Sequence, residues 1–223
     1  MDMKKPSAEI QAALDASRLF FESYAATPAG GKTPGAEVSW GMQAFEAVDL
    51  RGAVLVGADL LETRLANCWL DGALIWNATG GGSVWDGSSL RAAEFNKAEL
   101  IEASFRDAKL EGASFVAADL VRATFAGAQA PRANFARAHL LSADLGKTDL
   151  SGANLTRALL TGANLAGAQL SGAILTGAVL DHETRLSGCQ GLETVQLDYI
   201  VVNGSRVEGA AARAFLLGRA ADG

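Results

Sequence analysis

The sequence has little of what a disulfide framework or a membrane span requires. It contains only two cysteines, Cys68 and Cys189, which are too few for a disulfide network and which we expect to be small buried residues. No run approaches the roughly 18 apolar residues of a membrane span. The N-terminus also lacks the apolar core of a secretory signal. We therefore expect a cytoplasmic protein that does not enter a membrane.

Positive charge is also scarce. The chain has 25 acidic residues against 19 basic ones, which gives a formal net charge of -6. Proteins that bind nucleic acid directly cluster Lys and Arg to neutralise phosphates, and this balance argues against such binding. It leaves open a partner that is itself basic.

Residues for catalysis or metal binding are sparse. His139 and His182 are the only histidines, and they are too far from each other and from the cysteines to give a metal-ligand spacing. The stretch "GGKT" at 30–33 resembles part of a phosphate-binding loop, but Ala26 stands where that motif needs its first glycine. We predict no catalytic, cofactor-binding or metal-binding residues, and no enzyme.

The sequence is rich instead in a repeat of five residues. Every fifth residue from Phe45 to Leu180 is Leu, Ile or Phe, except for Gly80, Trp85 and Ala130. A small residue, mostly Ala, stands two places before each of these central residues. Asp or Asn often comes directly before the centre, and Gly often follows two places after it. A period of five fits neither an α-helix nor a plain strand.

This spacing predicts a stacked coil. A large and a small residue two places apart point to the same side of an extended segment, and the glycine that follows supplies a tight turn. Each repeat is then one short side and one corner, so four repeats close a coil of 20 residues. Because a single coil cannot bury its inner face, coils must stack and both ends need caps.

The repeat resembles the pentapeptide-repeat family, whose units read roughly A-(D/N)-L-x-x. "ADL" occurs at 58–60, 118–120 and 143–145, and "ANL" at 153–155 and 163–165. The resemblance implies an all-β solenoid, a right-handed quadrilateral β-helix. We predict about seven coils over 44–185, an N-terminal helix and linker over 1–43, and a C-terminal cap with a helix over 186–223.

Sorting the central residues by 20 predicts the packing inside the coils. The phenylalanines fall on two opposite sides, so we expect two facing ladders of core rings formed by Phe95, Phe105, Phe115, Phe125 and Phe135. Two places should disturb the stack. The glycines of "TGGGSVW" (79–85) predict a bulge or a mobile corner. Pro131 lacks an N–H group and should remove one ladder hydrogen bond.

The N-terminal region has a helical pattern before a Gly- and Pro-rich connector. Residues 8–24 place Ile10, Leu14, Phe20, Phe21 and Tyr24 on one approximate face, and we expect 27–37 to be flexible. Several outward positions of the first coils are apolar. Either the helix folds back over them or they form an exposed patch for another protein; these residues are Val54, Val56, Trp69, Leu74 and Trp76.

The C-terminal region departs from the period of five. We predict a closing strand at 197–202, a turn at the Asn-Gly pair 203–204, and an amphipathic helix over 206–220. The resemblance implies that such an element often mediates dimerisation. Whether it covers its own last coil or a partner's is left open; the predicted dimer or cap residues are Val207, Ala211, Ala214, Phe215 and Leu217.

One outer side of the coils carries a candidate binding surface. Apolar residues directly after the centres line up along the axis with acids beside them, although outward residues in such coils can also vary freely. The candidate partner-binding residues are Asp59, Leu61, Glu62, Glu99, Ile101, Glu102, Asp119, Val121 and Leu141. Another side carries Lys97, Arg137 and Arg157, with Glu94 nearby.

Two classes of function follow. The first is a non-catalytic protein-protein interaction module with an unidentified protein partner. The second is implied by the resemblance, since some pentapeptide-repeat proteins protect or inhibit DNA gyrase by imitating duplex DNA with an acidic rod. The modest net charge and the lack of a long loop within the repeats weigh against this second reading.

Overall fold

The computed structural model describes residues 4–25 and 38–221, and for residues 20–25 it describes the backbone alone. The predicted connector at 27–37 and the stretch 30–33 lie outside the described residues. The described elements are α1 (Ala8–Ala25), β1 (Ala44–Glu46), β2 (Arg64–Ala66), β3 (Val179–Leu180), a 3-10 turn (Leu192–Thr194), β4 (Tyr199–Val202), β5 (Ser205–Glu208) and α2 (Gly209–Ala221).

The body of the molecule is a stack of coils with a step of 20 residues. Parallel bridges join residues 20 apart at every fifth position, from Ser39 with Asp59 to Leu159 with Val179. Each repeat contributes one bridge, which is why so few segments are long enough to count as strands. We call this stack the rod, and we call the central residue of each repeat i. Its four sides are face 1 (centres 45, 65 and onward), face 2 (50, 70), face 3 (55, 75) and face 4 (60, 80).

Four of the five backbone N–H groups in a repeat have backbone partners. Around Leu100, the N–H groups of residues i−1, i and i+2 donate to neighbouring coils at 2.8–2.9 Å, and that of Ala103 closes the turn onto the carbonyl of Leu100 at 3.1 Å. The i+1 N–H group takes no part in this ladder. Pro131 occupies an i+1 position, so the predicted loss of a ladder bond at this proline is wrong.

The residue at i+2 has a left-handed backbone in every described repeat from Met42 to Gly177. We assigned this turn to glycine, but charged residues adopt it as well, for example Glu102 (φ 61°) and Arg137 (φ 60°). The corner is therefore imposed by the stacked backbone. Glycine lowers its conformational cost but is not required for it.

Aromatic rings form two ladders in the middle of the rod. Trp85, Phe105 and Phe125 stack on face 1, and Phe95, Phe115 and Phe135 stack on face 3, with neighbouring ring centroids 4.8–6.0 Å apart and planes within 5°. Rings of opposite ladders meet edge to face at 5.2–5.6 Å. All six rings are fully buried, so they fill the tube.

The glycine-rich stretch at 79–85 does not form the predicted bulge. Gly80 and Gly82 donate ladder hydrogen bonds of 2.7 and 2.8 Å to the next coil. Leu100 fills the space that the missing side chain leaves, because a Cβ atom on Gly80 would lie 3.0 Å from its Cδ2 atom. Ser83 further donates to the Gly80 carbonyl at 2.6 Å and accepts from the Trp85 indole at 2.8 Å.

The rod begins one repeat earlier than the predicted boundary at 44. Val38 and Trp40 are buried in the i−2 and i positions, and Trp40 donates to the Asp59 carbonyl at 2.8 Å. Lys4 forms a parallel bridge with Val48, which adds a short segment above the first coil. The pattern missed this repeat because Val and Trp replace the usual Ala and Leu.

Helix α1 lies against the first coil. Leu14 is buried with the rod core, and the Ser17 hydroxyl donates to the Val54 carbonyl at 2.6 Å. Val54 and Val56 are buried, whereas Trp69, Leu74 and Trp76 remain half-buried. The side chains of Phe20, Phe21 and Tyr24, which we placed on the same helical face, lie outside the described side chains.

The ladder continues past 185 with a wider step. Asn164 pairs with Arg185 and Ile174 with Gln196, so the offset grows to 21 and then 22 residues. β3 pairs in parallel with β4, and β4 pairs antiparallel with β5. The turn between β4 and β5 is Asn203-Gly204, where both residues have positive φ angles, as a two-residue hairpin requires.

Two arginines hold α2 against this last coil. Arg213 donates to the carbonyls of Leu192, Glu193 and Val195 at 2.6–3.2 Å. Arg219 donates to those of His182 and Thr184 at 2.8–2.9 Å. These bonds set the rotation of the helix about its own axis.

Candidate interaction surface

The apolar residues after the face 4 centres line up along the rod. We call Leu61, Ile101, Val121 and Leu141 the apolar stripe. Leu61 is 42% exposed and Ile101 38% exposed, while Val121 and Leu141 are half-buried. Gly81 interrupts the stripe, and a Cβ atom there would lie 3.5 Å from the Leu61 Cδ1 atom, which shows that the positions follow one another from coil to coil.

Two of the acids beside the stripe have a structural role. The carboxylates of Asp59 and Asp119 each accept the i+1 N–H group of their own repeat, from Leu61 and Val121 at 3.2 Å. Asp59 also accepts the Ser39 hydroxyl at 3.0 Å. We had not assigned this role, although the recurrence of Asp or Asn at i−1 indicates it, since these side chains cap the following turn.

The other three acids are Glu62, Glu99 and Glu102, and all are exposed. The Glu102 carboxylate lies 2.6 Å from the Arg122 guanidinium, which occupies the same corner one coil later. Glu62 and Glu99 form no ion pair with a described residue. The acids beside the stripe are therefore partly neutralised at its middle.

The basic residues Lys97, Arg137 and Arg157 occupy i+2 corners between face 3 and face 4 and are exposed. None of them forms an ion pair with a described residue. Glu94, the nearby acid, accepts the Trp76 indole N–H at 2.8 Å. These cations therefore border the same face as the stripe and do not form a separate, opposite surface.

The predicted apolar face of the C-terminal helix is wrong. Val207 lies in β5, and α2 turns Ala212 and Leu216 into the core. Ala211 and Ala214 are exposed, Phe215 is half-buried and Leu217 is 43% exposed. The pattern could not reveal this rotation, because it depends on the bonds that Arg213 and Arg219 make to the last coil.

The described residues offer little for catalysis. No group of three or more His, Cys, Asp or Glu among them is placed to hold a metal ion. His139 and His182 are exposed. Burial raises the pKa of the Cys68 thiol and raises that of Cys189 to about 11, so both thiols are protonated at neutral pH.

The repeat matches a known family over most of the rod. The model of pentapeptide repeats matches eight copies, over 44–77, 86–115, 118–157, 138–177 and 153–189. The chain belongs to the pentapeptide-repeat family. Proteins of this family fold as right-handed quadrilateral β-helices and are generally non-catalytic. No curated protein matches this pentapeptide-repeat chain.

Solved structures of pentapeptide-repeat proteins share the fold. A trypsin-treated form of QnrB1, a plasmid-mediated fluoroquinolone resistance protein, is 18% identical with a TM-score of 0.60, covering 79% of this chain and 97% of that one. HetL, involved in heterocyst differentiation regulation in the cyanobacterium Nostoc sp. strain PCC 7120, is 26% identical with a TM-score of 0.48, covering 83% and 96%. A protein of the Arabidopsis thaliana thylakoid lumen is 30% identical with a TM-score of 0.30, covering 62% and 86%.

Neither described helix is long and apolar enough to cross a membrane.

Proposed function

We propose that this pentapeptide-repeat protein is a non-catalytic interaction module that binds a protein through face 4 of the rod. The observation that carries the proposal is the apolar stripe. Five large apolar side chains are exposed among the described residues, and two of them, Leu61 and Ile101, lie two coils apart on this face. An apolar centre with charged edges is the usual composition of a protein-binding surface.

The backbone supports this role because it makes the surface rigid. Each stripe residue sits directly after a buried centre, and the adjoining i+2 residue is held in the ladder by its own N–H group. A surface fixed before binding loses little conformational entropy when a partner docks.

The test is capture of binding proteins from host lysate by the full chain and by matched variants. Ile101→Lys with Val121→Lys places charge on the stripe. Val116→Lys places the same charge at the same i+1 position on face 3. We expect a protein that the wild type and Val116→Lys retain and the double variant loses, and equal capture by all three chains would contradict the proposal.

A second candidate function is modulation of DNA gyrase by imitation of duplex DNA. It is favoured by the shape of the rod and by the resistance role that the QnrB1 title names, which we transfer to this chain only as a hypothesis. It is weakened by the charge distribution, because residues 120–180 carry more basic than acidic side chains. The ladder step also stays at 20 from Ser39 to Val179, which leaves no loop insertion there.

The gyrase hypothesis has its own assay. Supercoiling by purified bacterial gyrase is titrated with the protein, with and without a quinolone. Inhibition or drug protection at or below micromolar protein, lost when Glu99 and Glu102 are changed to Lys, would support DNA imitation. No effect at tens of micromolar would remove gyrase as the target.

Three finer features belong to the same proposal. We propose that α1 and α2 act as caps of a rod of about seven coils, since Ser17 and Arg213 occupy carbonyls at its two ends. We propose a homodimer contact at the C-terminal region, where the exposed side of α2 presents Ala214 and Leu217. A cytoplasmic location fits two free cysteines.

A further inference from the structure

The charges of the rod are divided along its axis. Residues 38–119 carry twelve acidic and six basic side chains, whereas residues 120–180 carry two acidic and five basic ones. The two acids of the second segment, Asp144 and Asp149, each accept a corner N–H group at 3.0 Å. One half of the rod is therefore net negative and the other net positive.

The same division holds on face 4 and along its two edges. All five acids beside the stripe precede residue 120, and three of the four bases on these edges follow it. Lys97 is the exception among the bases. The later Asp181 directs its carboxylate to the N–H groups of Gly162, Glu183 and Thr184. The acids are Asp59, Glu62, Glu99, Glu102 and Asp119, and the later bases are Arg122, Arg137 and Arg157.

The apolar stripe runs through both halves. Leu61 and Ile101 lie in the acidic half, and Val121 and Leu141 lie in the basic half. At the far end of the basic half, Leu159 and Val179 are half-buried in outward i−1 positions of the same face. Face 4 thus presents a continuous apolar centre whose borders change sign once, near the middle.

We infer that the partner bound on face 4 is a second copy of this chain, packed face to face with the two rods antiparallel. This inference rests on the proposed function, because it names the occupant of the same surface. An antiparallel arrangement places each acidic half on a basic half, whereas a parallel one brings like charges together. Both stripes also have the same pitch of about 4.8 Å per coil, so successive side chains stay in register along the contact.

The first test exchanges charge between the two halves. Glu62→Lys with Glu99→Lys makes the borders of face 4 basic throughout, and Arg137→Glu with Arg157→Glu makes them acidic. None of these four side chains forms an ion pair with a described residue. In sedimentation equilibrium we expect the wild type to dimerise, each double variant to self-associate at least tenfold more weakly, and an equimolar mixture of the two to recover the dimer.

The second test determines orientation. Leu61→Cys and Thr161→Cys place thiols near opposite ends of face 4, and Val116→Cys is the control on face 3. A bis-maleimide linker of roughly 10 Å, about two coils, should join Leu61→Cys chains to Thr161→Cys chains. It should join few pairs of Leu61→Cys chains and no Val116→Cys chains. Predominant linking of Leu61→Cys to itself would overturn the antiparallel arrangement.

Other outcomes separate this inference from the function on which it rests. A wild type that stays monomeric up to about 100 µM, a weak-affinity limit, overturns the second copy as partner. So does a dimer that both charge variants keep but Leu217→Arg on α2 abolishes. If, in either case, the stripe variants still lose a captured protein, the proposed function stands and only this inference fails. Circular dichroism melts of every variant confirm that the rod is folded.

Discussion

The Arg122 guanidinium lies 2.6 Å from the Glu102 carboxylate one coil away, at the point where the acidic half of the rod meets the basic half. Both side chains are 58% exposed, and exposed ion pairs contribute little to stability. We expect Arg122→Gln to change the free energy of unfolding by less than about 0.5 kcal/mol in urea titrations. Leu100→Ala, in the core beside the pair, should cost about 2–5 kcal/mol. Comparable losses in the two variants would contradict this account.

The ring ladders should dominate stability in the middle coils. Phe115 stacks on Phe95 and Phe135 at 4.8 and 5.0 Å and meets Phe105 and Phe125 edge to face. Replacing it with Ala removes a fully buried ring from all four contacts, and we expect a loss of about 3–5 kcal/mol. Phe115→Leu, which restores the commoner central residue, should lose less. Equal losses for Leu and Ala would show that ring stacking is not what the site requires.

Corner positions should accept glycine with a gain in stability. Ala117 holds a φ angle of 56° at an exposed i+2 position, a conformation that costs an L-residue roughly 1–2 kcal/mol. Ala117→Gly removes most of this cost and loses part of the gain to the greater freedom of the unfolded chain, so we expect a net gain of about 0.5 kcal/mol.

Ala136→Gly is the matched control, since Ala136 occupies an i+1 corner that is not left-handed. It should destabilise the protein by about 0.5–1 kcal/mol. Thermal unfolding of both variants would decide the matter, and a melting temperature that falls for both would show that the corners carry no strain.

The charge and the hydrogen bond of Asp119 can be separated. Its carboxylate accepts the Val121 N–H group at 3.2 Å while it borders the stripe. Asp119→Asn keeps an acceptor and removes the charge, whereas Asp119→Ala removes both. We expect Ala to cost about 1 kcal/mol of folding stability and Asn to cost less. If partner binding needs the charge, Asn should weaken binding as much as Ala does, and unchanged binding by Asn would leave Asp119 with a structural role alone.

Acid should weaken the junction between the rod and its last coil. Burial raises the pKa of Asp181, but hydrogen bonds from Gly162, Thr184 and Glu183 outweigh it and hold the pKa below the ordinary value of 3.8. The folded state therefore gains stability from this carboxylate above that value and loses it as the pH falls through the folded-state pKa. Asp181→Asn should be less stable than the wild type at pH 7, with the difference vanishing under acid. A constant difference from pH 7 to pH 2 would contradict this reasoning.

The repeat class followed directly from residue order, because the i and i−2 positions are dictated by a narrow, stacked core. The first repeat was missed where Val38 and Trp40 replace the usual Ala and Leu. The bulge expected at Gly80 failed for a different reason. A neighbouring coil can fill a gap with Leu100, and no pattern within one repeat records that contact.

The candidate surface was only partly predictable. The period of 20 places Leu61, Ile101 and Val121 in one line. The double role of Asp59 and Asp119 depends on how a side chain folds back onto its own corner. The exposed side of α2 depends on bonds from Arg213 to carbonyls about 20 residues away, which helical periodicity does not contain.

Site-specific photo-crosslinking in host cells tests most directly whether face 4 is the binding surface. A benzophenone amino acid replaces Ile101 on the stripe in one chain and Val116 on face 3 in another, and the cells are irradiated. The account predicts a discrete covalent adduct from position 101 and none from position 116, and the mass of the adduct shows whether the partner is a second copy of the chain. Adducts from both positions alike, or from position 116 alone, would contradict it.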